Sequence, residues 1–271
     1  MKPKLDDAIR LALQTTIVPR EELFITTKFW PQFARDPALC LDQSLKKAGL
    51  EYVDLYLMHW PVAFVATTNL SEAIPNDELG KDGIEWLDFS AQKPAIDKEY
   101  SENLHLIWKK MEDIYRQGKA KSLGVSNFSI KNLEKLLPHV SPDIPLTVNQ
   151  VEAHPWFPNA ELIEYCKSRN IQVQDFSPLG GRLREGRERL VEDRTVKTMA
   201  EKRGCAIGQL LQSWAVQRGT IPLGRSSNPE RVASNFAVVR LSGEEMQVLD
   251  ALDRGEKGRT VNPDWGWEIF N

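Results

Sequence analysis

Six short apolar runs alternate along the chain with longer amphipathic ones, and that alternation limits the fold more than any other feature. The short runs are LFITTK (23–28), DLYLMH (54–59), KSLGVS (121–126), LTVNQVE (146–152), IQVQDF (171–176) and TIPL (220–223). Their length and apolarity predict parallel strands buried on both faces, since strands covered on one face alone alternate apolar with polar. The runs between them carry helix start and stop signals. Asp36 and Pro37 read as an N-cap and first helical residue, Ala38, Leu41, Leu45 and Ala48 as the buried stripe, and Gly49 as the stop. Asp97 caps a helix whose apolar face is Leu104, Ile107, Trp108, Met111, Ile114 and Tyr115, closed by Gly118. Ser129 caps Ile130, Leu133, Leu136 and Leu137. Further helices are predicted over 160–168, 194–203, 206–217, 229–238 and 242–253.

Strand–helix alternation implies a parallel sheet with helices outside it. Six strands suit a doubly wound sheet, and equally a barrel that lacks two of its eight strands. No G-x-G-x-x-G turn follows any strand, which weakens the first option. Two long connections, 62–96 and 179–193, leave the carboxyl ends of strands, where barrel enzymes build their sites. No linker or low-complexity stretch interrupts the 271 residues, a length usual for one βα barrel. A single domain over 1–271 is therefore expected.

Charge and cysteine content narrow the function. Lysine and arginine number 35 against 38 acidic residues, a net charge of −3, which gives no general basic footprint for nucleic acid. Cys40, Cys166 and Cys205 are scattered without a C-x-x-C, so a metal cluster is not expected and a reducing compartment is. No apolar run approaches the ~20 residues of a membrane span, and the first residues have no signal-peptide core. A cytoplasmic protein is expected.

Polar residues recur at the strand ends: Lys28, His59, Ser126 with Asn127, Gln150 and Ser177. Each has an ordinary explanation. Lys28 can snorkel from the rim as a solvated charge, His59 can be a satisfied core histidine, and Asn127 and Gln150 can be loop hydrogen bonders. Together, on successive strands, they converge on the mouth of a parallel barrel and point to an active site.

In order, VPREELFITTKFW, YVDLYLMHWP, KSLGVSNFS, VNQVEAHPW, FSPLG and RSSNPERVASNF resemble the signature segments of the aldo-keto reductases, from about residue 17 to the C-terminus. The closing stretch resembles fungal members that act on aldehydes, sugars or small ketones. The resemblance implies a TIM (β/α)8-type barrel and NADPH-dependent carbonyl reduction. It gives Lys28 and His59 the places of the catalytic lysine and histidine. It gives Ser126, Asn127 and Gln150 the nicotinamide carboxamide, Phe176 the stacked ring, and Ser177 and Leu179 the pyrophosphate. Arg225, Ser226, Asn228, Arg231 and Asn235 match the clamp on the adenosine 2′-phosphate. Arg225 stands where lysine is usual and adds a planar fork suited to phosphate. Arg231 favours NADPH over NADH, which has no 2′-phosphate to pair. Trp30 and Trp60 are implied to line an apolar substrate pocket, with Trp86 and Phe89 in the long loop and Trp265 and Trp267 in the tail also at the mouth. Trp108 and Trp214 sit on helix stripes and read as core.

The family's mechanism also uses an aspartate and a tyrosine, carried on and just after the second barrel strand. The residues before LFITTK resemble the second helix, so the first two strands and first helix are expected to be missing. Asp6 and Asp7 do not match the aspartate. Of the five tyrosines, Tyr56 should face the helices, Tyr115 and Tyr165 lie in helices and Tyr52 precedes a strand, which leaves Tyr100. Two readings follow: a reductase, or an NADP-binding pseudo-reductase with impaired turnover. A third is an unstable product with no function. A monomer acting on a small carbonyl compound is expected, with no nucleic-acid or membrane partner. Loop 62–96 and tail 255–271 should select the substrate, and neither carries a decodable signal.

Overall fold

The computed structural model describes residues 9, 10, 13, 15, 18–66, 93–181 and 188–270. Asp6, Asp7, Trp86, Phe89 and the central parts of both long connections lie outside the described residues. The chain forms two compact units, Met1–Val148 with Asp264–Asn271, and Asn149–Pro263.

In the first unit β1 (Thr26–Phe29), β2 (Leu55–Met58) and β3 (Leu123–Ser126) pair in parallel, with Lys28 opposite Leu57 and Met58 opposite Val125. β4 (Leu146–Glu152) begins beside β3, where the Thr147 hydroxyl donates to the Leu123 carbonyl at 2.7 Å. Gly124 is required at this contact. A Cβ there would stand 2.5 Å from the Val148 carbonyl oxygen and 2.7 Å from Leu57. Helix α1 (Pro37–Ala48) starts under the Asp36 cap and ends at Gly49, whose φ of 68° is the left-handed value glycine accepts. The Tyr56 hydroxyl donates to the Pro37 carbonyl at 2.7 Å, so this ring faces the helix, as strand alternation predicts.

The single helix expected after Asp97 is two, α2 (Lys98–Glu102) and α3 (Leu104–Arg116). Asn103 leaves helical geometry at φ −119°, ψ 58°, and its side-chain amide donates back to the Glu99 carbonyl. A short polar side chain that competes for backbone in this way terminates a helix. Trp108 is core, donating to the buried Glu112 carboxylate at 2.9 Å. Ser129 caps α4 (Ile130–Leu136).

In the second unit β5 (Gln172–Phe176) and β6 (Ile221–Leu223) pair in parallel, and Gln150 on β4 bonds Gln174 on β5 at 2.8 Å. Among the described residues five helices accompany them: α5 (Ala160–Lys167), α6 (Arg194–Arg203), α7 (Ile207–Gln217), α8 (Pro229–Phe236) and α9 (Gly243–Asp250). Trp156, Val196, Leu210, Trp214 and Leu249 form their common core. β6 departs from the expectation of burial. Among the described residues β5 is its one neighbour in the sheet, and Ile221 and Leu223 stay 44% and 40% exposed. The order strand, helix, parallel strand is otherwise the α/β class expected. Among the described residues no helix is long and apolar enough to cross a membrane.

Candidate active site

Within the first unit, register brings Lys28 and His59 together. Lys28 is the third residue of β1, and His59 follows the last residue of the β2 segment paired with it. Burial pulls the Lys28 ammonium down to about 8. Burial first, and then the Lys28 charge, hold His59 well below its ordinary value, so its imidazole is neutral at neutral pH. A wall of rings stands beside them. The His59 ring lies 5.1 Å from that of Trp30, edge to face, and 6.0 Å from that of Trp60, stacked. Trp265, from the tail, packs at 5.9 Å from Trp30 and 5.0 Å from both Trp60 and Phe64. These centroid distances are those of attractive aromatic pairs. Trp30, Trp60 and Trp265 are buried, while Lys28 and His59 keep partial exposure.

Ser126 and Asn127 end β3, both buried. Asn127 adopts φ 63°, which asparagine tolerates better than most residues, and its amide donates to the His59 carbonyl at 3.0 Å. The end of β3 is thereby tied to the end of β2. A separate cavity of about 350 Å³ is lined by Pro61, His105, Lys131, Lys135, Trp267 and Glu268, without Lys28 or His59.

The second unit gathers the other expected residues. Gln150 is buried in its pairing with Gln174. Phe176 ends β5, and Ser177 turns the chain at φ 54° with its carbonyl accepting from Gly180. Asn228 caps α8, accepting from the Arg231 backbone at 3.0 Å, and the Ser226 hydroxyl accepts from the Asn228 backbone at 3.1 Å. Arg225 and Arg231 are exposed, so both guanidinium groups are open to a ligand. Leu179 and Asn235 converge on Gly208, where a Cβ would lie 2.6 Å from the Asn235 carboxamide oxygen and 3.8 Å from Leu179. Gly224 lies as close over Gln212.

The tyrosines are engaged in several places. Tyr52 is flanked by Arg20 and Lys121 at 4.0 and 3.9 Å, and Tyr100 carries Arg35 at 4.4 Å. Tyr165 carries Arg169 at 3.9 Å.

Two buried acids of the second unit escaped the sequence reading. Glu152, at the end of β4, accepts from His154 at 2.9 Å, from the Thr260 backbone at 2.8 Å and from the Val261 backbone at 2.9 Å. Asp175 on β5 accepts from the Thr220 hydroxyl, and burial pushes its carboxyl up to about 7. Both interrupt apolar runs, VNQVEAH and VQDF, and that interruption was the available signal. Among the described residues no group of three or more His, Cys, Asp or Glu is placed to hold a metal ion.

Comparison with known proteins bears on these clusters. The model of the Aldo/keto reductase family matches residues 6–254. A glycerol 2-dehydrogenase (NADP(+)) of Saccharomyces cerevisiae is 38% identical over 268 residues, covering 98% of this chain and 81% of that protein. An aldehyde reductase of the same yeast is 38% identical over 267 residues, 96% of this chain and 80% of its own length. A D-galacturonate reductase of Hypocrea jecorina is 38% identical over 254 residues, 92% of this chain and 75% of its own. The crystal structure of a Bombyx mori aldo-keto reductase in complex with NADP superposes with a TM-score of 0.73 at 31% identity, over 98% of this chain and 78% of that one.

Proposed function

The chain belongs to the aldo/keto reductase family, and from that premise we propose that it is an NADP(H)-dependent oxidoreductase reducing an aldehyde or ketone to the alcohol. One observation carries the reading: Lys28 and His59 meet at the ends of paired parallel strands, beside a wall of tryptophans. The names of the relatives add the substrate range, a polyol, an aldehyde and a uronic acid. A small polar carbonyl compound fits that range. We take residues 1–271 as one domain of this family, since the family match crosses the division between the two units. The same reading makes the protein cytoplasmic, with the monomer as the unit that acts.

The chain fits the nucleotide. Arg225 and Arg231 offer exposed charge beside the α8 N-terminus, a favourable place for phosphate. Arg225, Ser226, Asn228, Arg231 and Asn235 take the 2′-phosphate, and Ser177 and Leu179 the pyrophosphate. Phe176 stacks on the nicotinamide, and Ser126, Asn127 and Gln150 orient its carboxamide. NADPH, when bound, supplies the hydride for the carbonyl carbon.

The chain's own groups act on the carbonyl oxygen. Neutral His59 orients it by a ring N–H hydrogen bond, as imidazole and not imidazolium. Lys28, protonated at neutral pH, stabilises the negative charge that develops there. Trp30 and Trp60 supply the apolar wall against which the substrate lies. A second reading, nucleotide binding with impaired turnover, is favoured by Tyr56. This tyrosine is three residues before His59, yet it spends its hydroxyl on the Pro37 carbonyl.

Two measurements on the 271-residue chain test both readings. NADPH should quench tryptophan fluorescence saturably, and Arg231→Ala should weaken NADPH about tenfold or more while leaving NADH nearly unchanged. Aldehyde-dependent NADPH oxidation, lost in Lys28→Met, establishes the reductase. Binding without oxidation establishes the second reading, and failure to bind NADPH overturns both.

A further inference from the structure

The cavity of about 350 Å³ lies within the first unit, apart from Lys28 and His59, and its walls are fixed. The Ser101 hydroxyl accepts from the Ala63 backbone at 2.9 Å and donates to the Ala63 carbonyl at 3.2 Å, which holds α2 to the chain that follows β2. The Asn132 amide donates to the Ile269 carbonyl at 2.9 Å, which holds the tail to α4. Trp267 and Glu268 sit between that bond and Trp265, whose ring packs 5.0 Å from Trp60. The His105 ring is stacked on His139 at 4.3 Å. The lining carries charge of both signs. Lys131 and Lys135, one turn apart on α4, share the cavity with Glu102 and Glu268. Among the described residues none of these four is in an ion pair, with each other or with a neighbour. Like charges one helical turn apart repel, so the two ammonium groups attract an anion. The carboxylates accept hydrogen bonds and give none. Pro61, Leu104 and Trp267 add apolar surface.

We propose that this cavity binds a small polyhydroxylated anion, a sugar acid or a sugar phosphate, at a site separate from the one that receives the carbonyl. The anionic head accepts from the Lys131 and Lys135 ammonium groups. Hydroxyl groups of the ligand donate to the Glu102 and Glu268 carboxylates, and its carbon backbone lies against Trp267 and Leu104. Simpler ligands satisfy only part of this lining. Inorganic phosphate uses the lysines and is repelled by the carboxylates. A neutral polyol uses the carboxylates and leaves the lysines facing each other. An amino acid matches both signs, but with His105 the cationic and N–H-bearing groups outnumber the carboxylates, which favours net negative charge over a zwitterion. Binding here makes and breaks no covalent bond and needs no nucleotide, so it goes beyond the reductase reading and does not rest on it.

Histidine ring NMR on the whole chain tests it, because the four histidines report on different places. His105 lines the cavity and His139 stacks on it, His59 stands with Lys28, and His154 is buried against Glu152. The probes are gluconate and sorbitol 6-phosphate, neither of which has an aldehyde or ketone to reduce. Sorbitol, inorganic phosphate and alanine are the controls. At least one probe should move the His105 and His139 signals saturably, with half-saturation at or below about 1 mM, and leave His154 still. The tighter of the two identifies the head group, and each control should need at least tenfold more. An anion beside an imidazole favours its charged form, so the His105 titration midpoint should rise on saturation, against the lowering that burial, His139 and Lys109 impose. Lys131→Gln with Lys135→Gln should weaken binding about tenfold or more. Both lysines are exposed, and the titrations on the wild-type protein stand even where the variant does not fold. A still His105, movement of His59 alone, equal affinity for any control, or undiminished binding in the folded double variant overturns the proposal. Each titration is run without nucleotide, so binding at His105 in a chain that fails to oxidise NADPH upholds this site and not the reductase, and turnover with a still His105 does the reverse.

Discussion

Asp175 and Lys28 are charged in water and are held by this fold in surroundings that favour the neutral form. The consequences for stability have opposite pH dependence. The carboxyl of Asp175 is raised to about 7, so the folded state keeps its proton where the unfolded chain has lost it. Its favourable share of stability is intact below the ordinary aspartate value and is lost as pH rises to about 7. Asp175→Asn keeps an acceptor for the Thr220 hydroxyl and removes the ionisation. Calorimetry should find it several degrees more stable than wild type at pH 8 and level with it at pH 4. An equal gain at both pH values would count against the buried carboxyl. Lys28 is lowered to about 8, so its burial penalty is complete below that value and fades as pH climbs past the ordinary lysine range. Lys28→Met should therefore raise the melting temperature at pH 7 and change it little at pH 11, while abolishing aldehyde chemistry. Lys28 and His59 were legible as candidates only jointly, because polar residues recur at the ends of successive strands while each alone has an ordinary structural use. Asp175 was not, because its partner, the Thr220 hydroxyl, lies 45 residues away.

At the scale of elements, what was legible was local. The caps Asp36, Ser129 and Asn228 each accept from a backbone N–H three residues on, a spacing readable in any sequence. The helix break at Asn103 was hidden, since the apolar stripe of α3 resumes at once with Leu104. Least legible was the strap that carries the chain beyond α9. Arg254 bonds the Trp156 carbonyl through its backbone at 3.0 Å and lays its guanidinium on the Trp156 ring at 3.5 Å. Arg259 lies over Phe157 at 4.3 Å, and Glu152 receives Thr260 and Val261. These partners are about a hundred residues apart in sequence, and no periodicity joins them. Gly258 is the tightest point, where a Cβ would fall 1.8 Å from the Trp156 carbonyl oxygen. Backbone cannot yield to that contact, so Gly258→Ala should lift the strap. Limited proteolysis should then cut between residues 253 and 263 at least tenfold faster than in wild type. Glu152→Ala strands the donors of Thr260, Val261 and His154, and should cost about 3 kcal/mol in denaturant unfolding.

At the scale of the whole molecule, the class of fold followed from strand–helix alternation, and the family from six ordered motifs. Burial did not follow so simply. The sequence of β6 is as apolar as that of the other strands, yet Ile221 and Leu223 are exposed, and among the described residues β5 is the strand's one neighbour. Among the described residues β1 likewise has β2 alone. Strands with one neighbour present unpaired backbone groups to any chain that meets them. Large apolar side chains add to this. Phe236, at the end of α8, is 90% exposed, and Phe24, just before β1, is 68% exposed. Exposed edges and exposed rings favour association over solubility. The protein should therefore self-associate with rising concentration, visible as growth in scattered mass across the micromolar range. Phe24→Ser with Phe236→Ser removes both rings and leaves every residue assigned to nucleotide or carbonyl in place. The double variant should scatter less at equal concentration and bind NADPH as wild type does. A scattered mass that stays monomeric in wild type would show that these rings and edges are too short to recruit a partner.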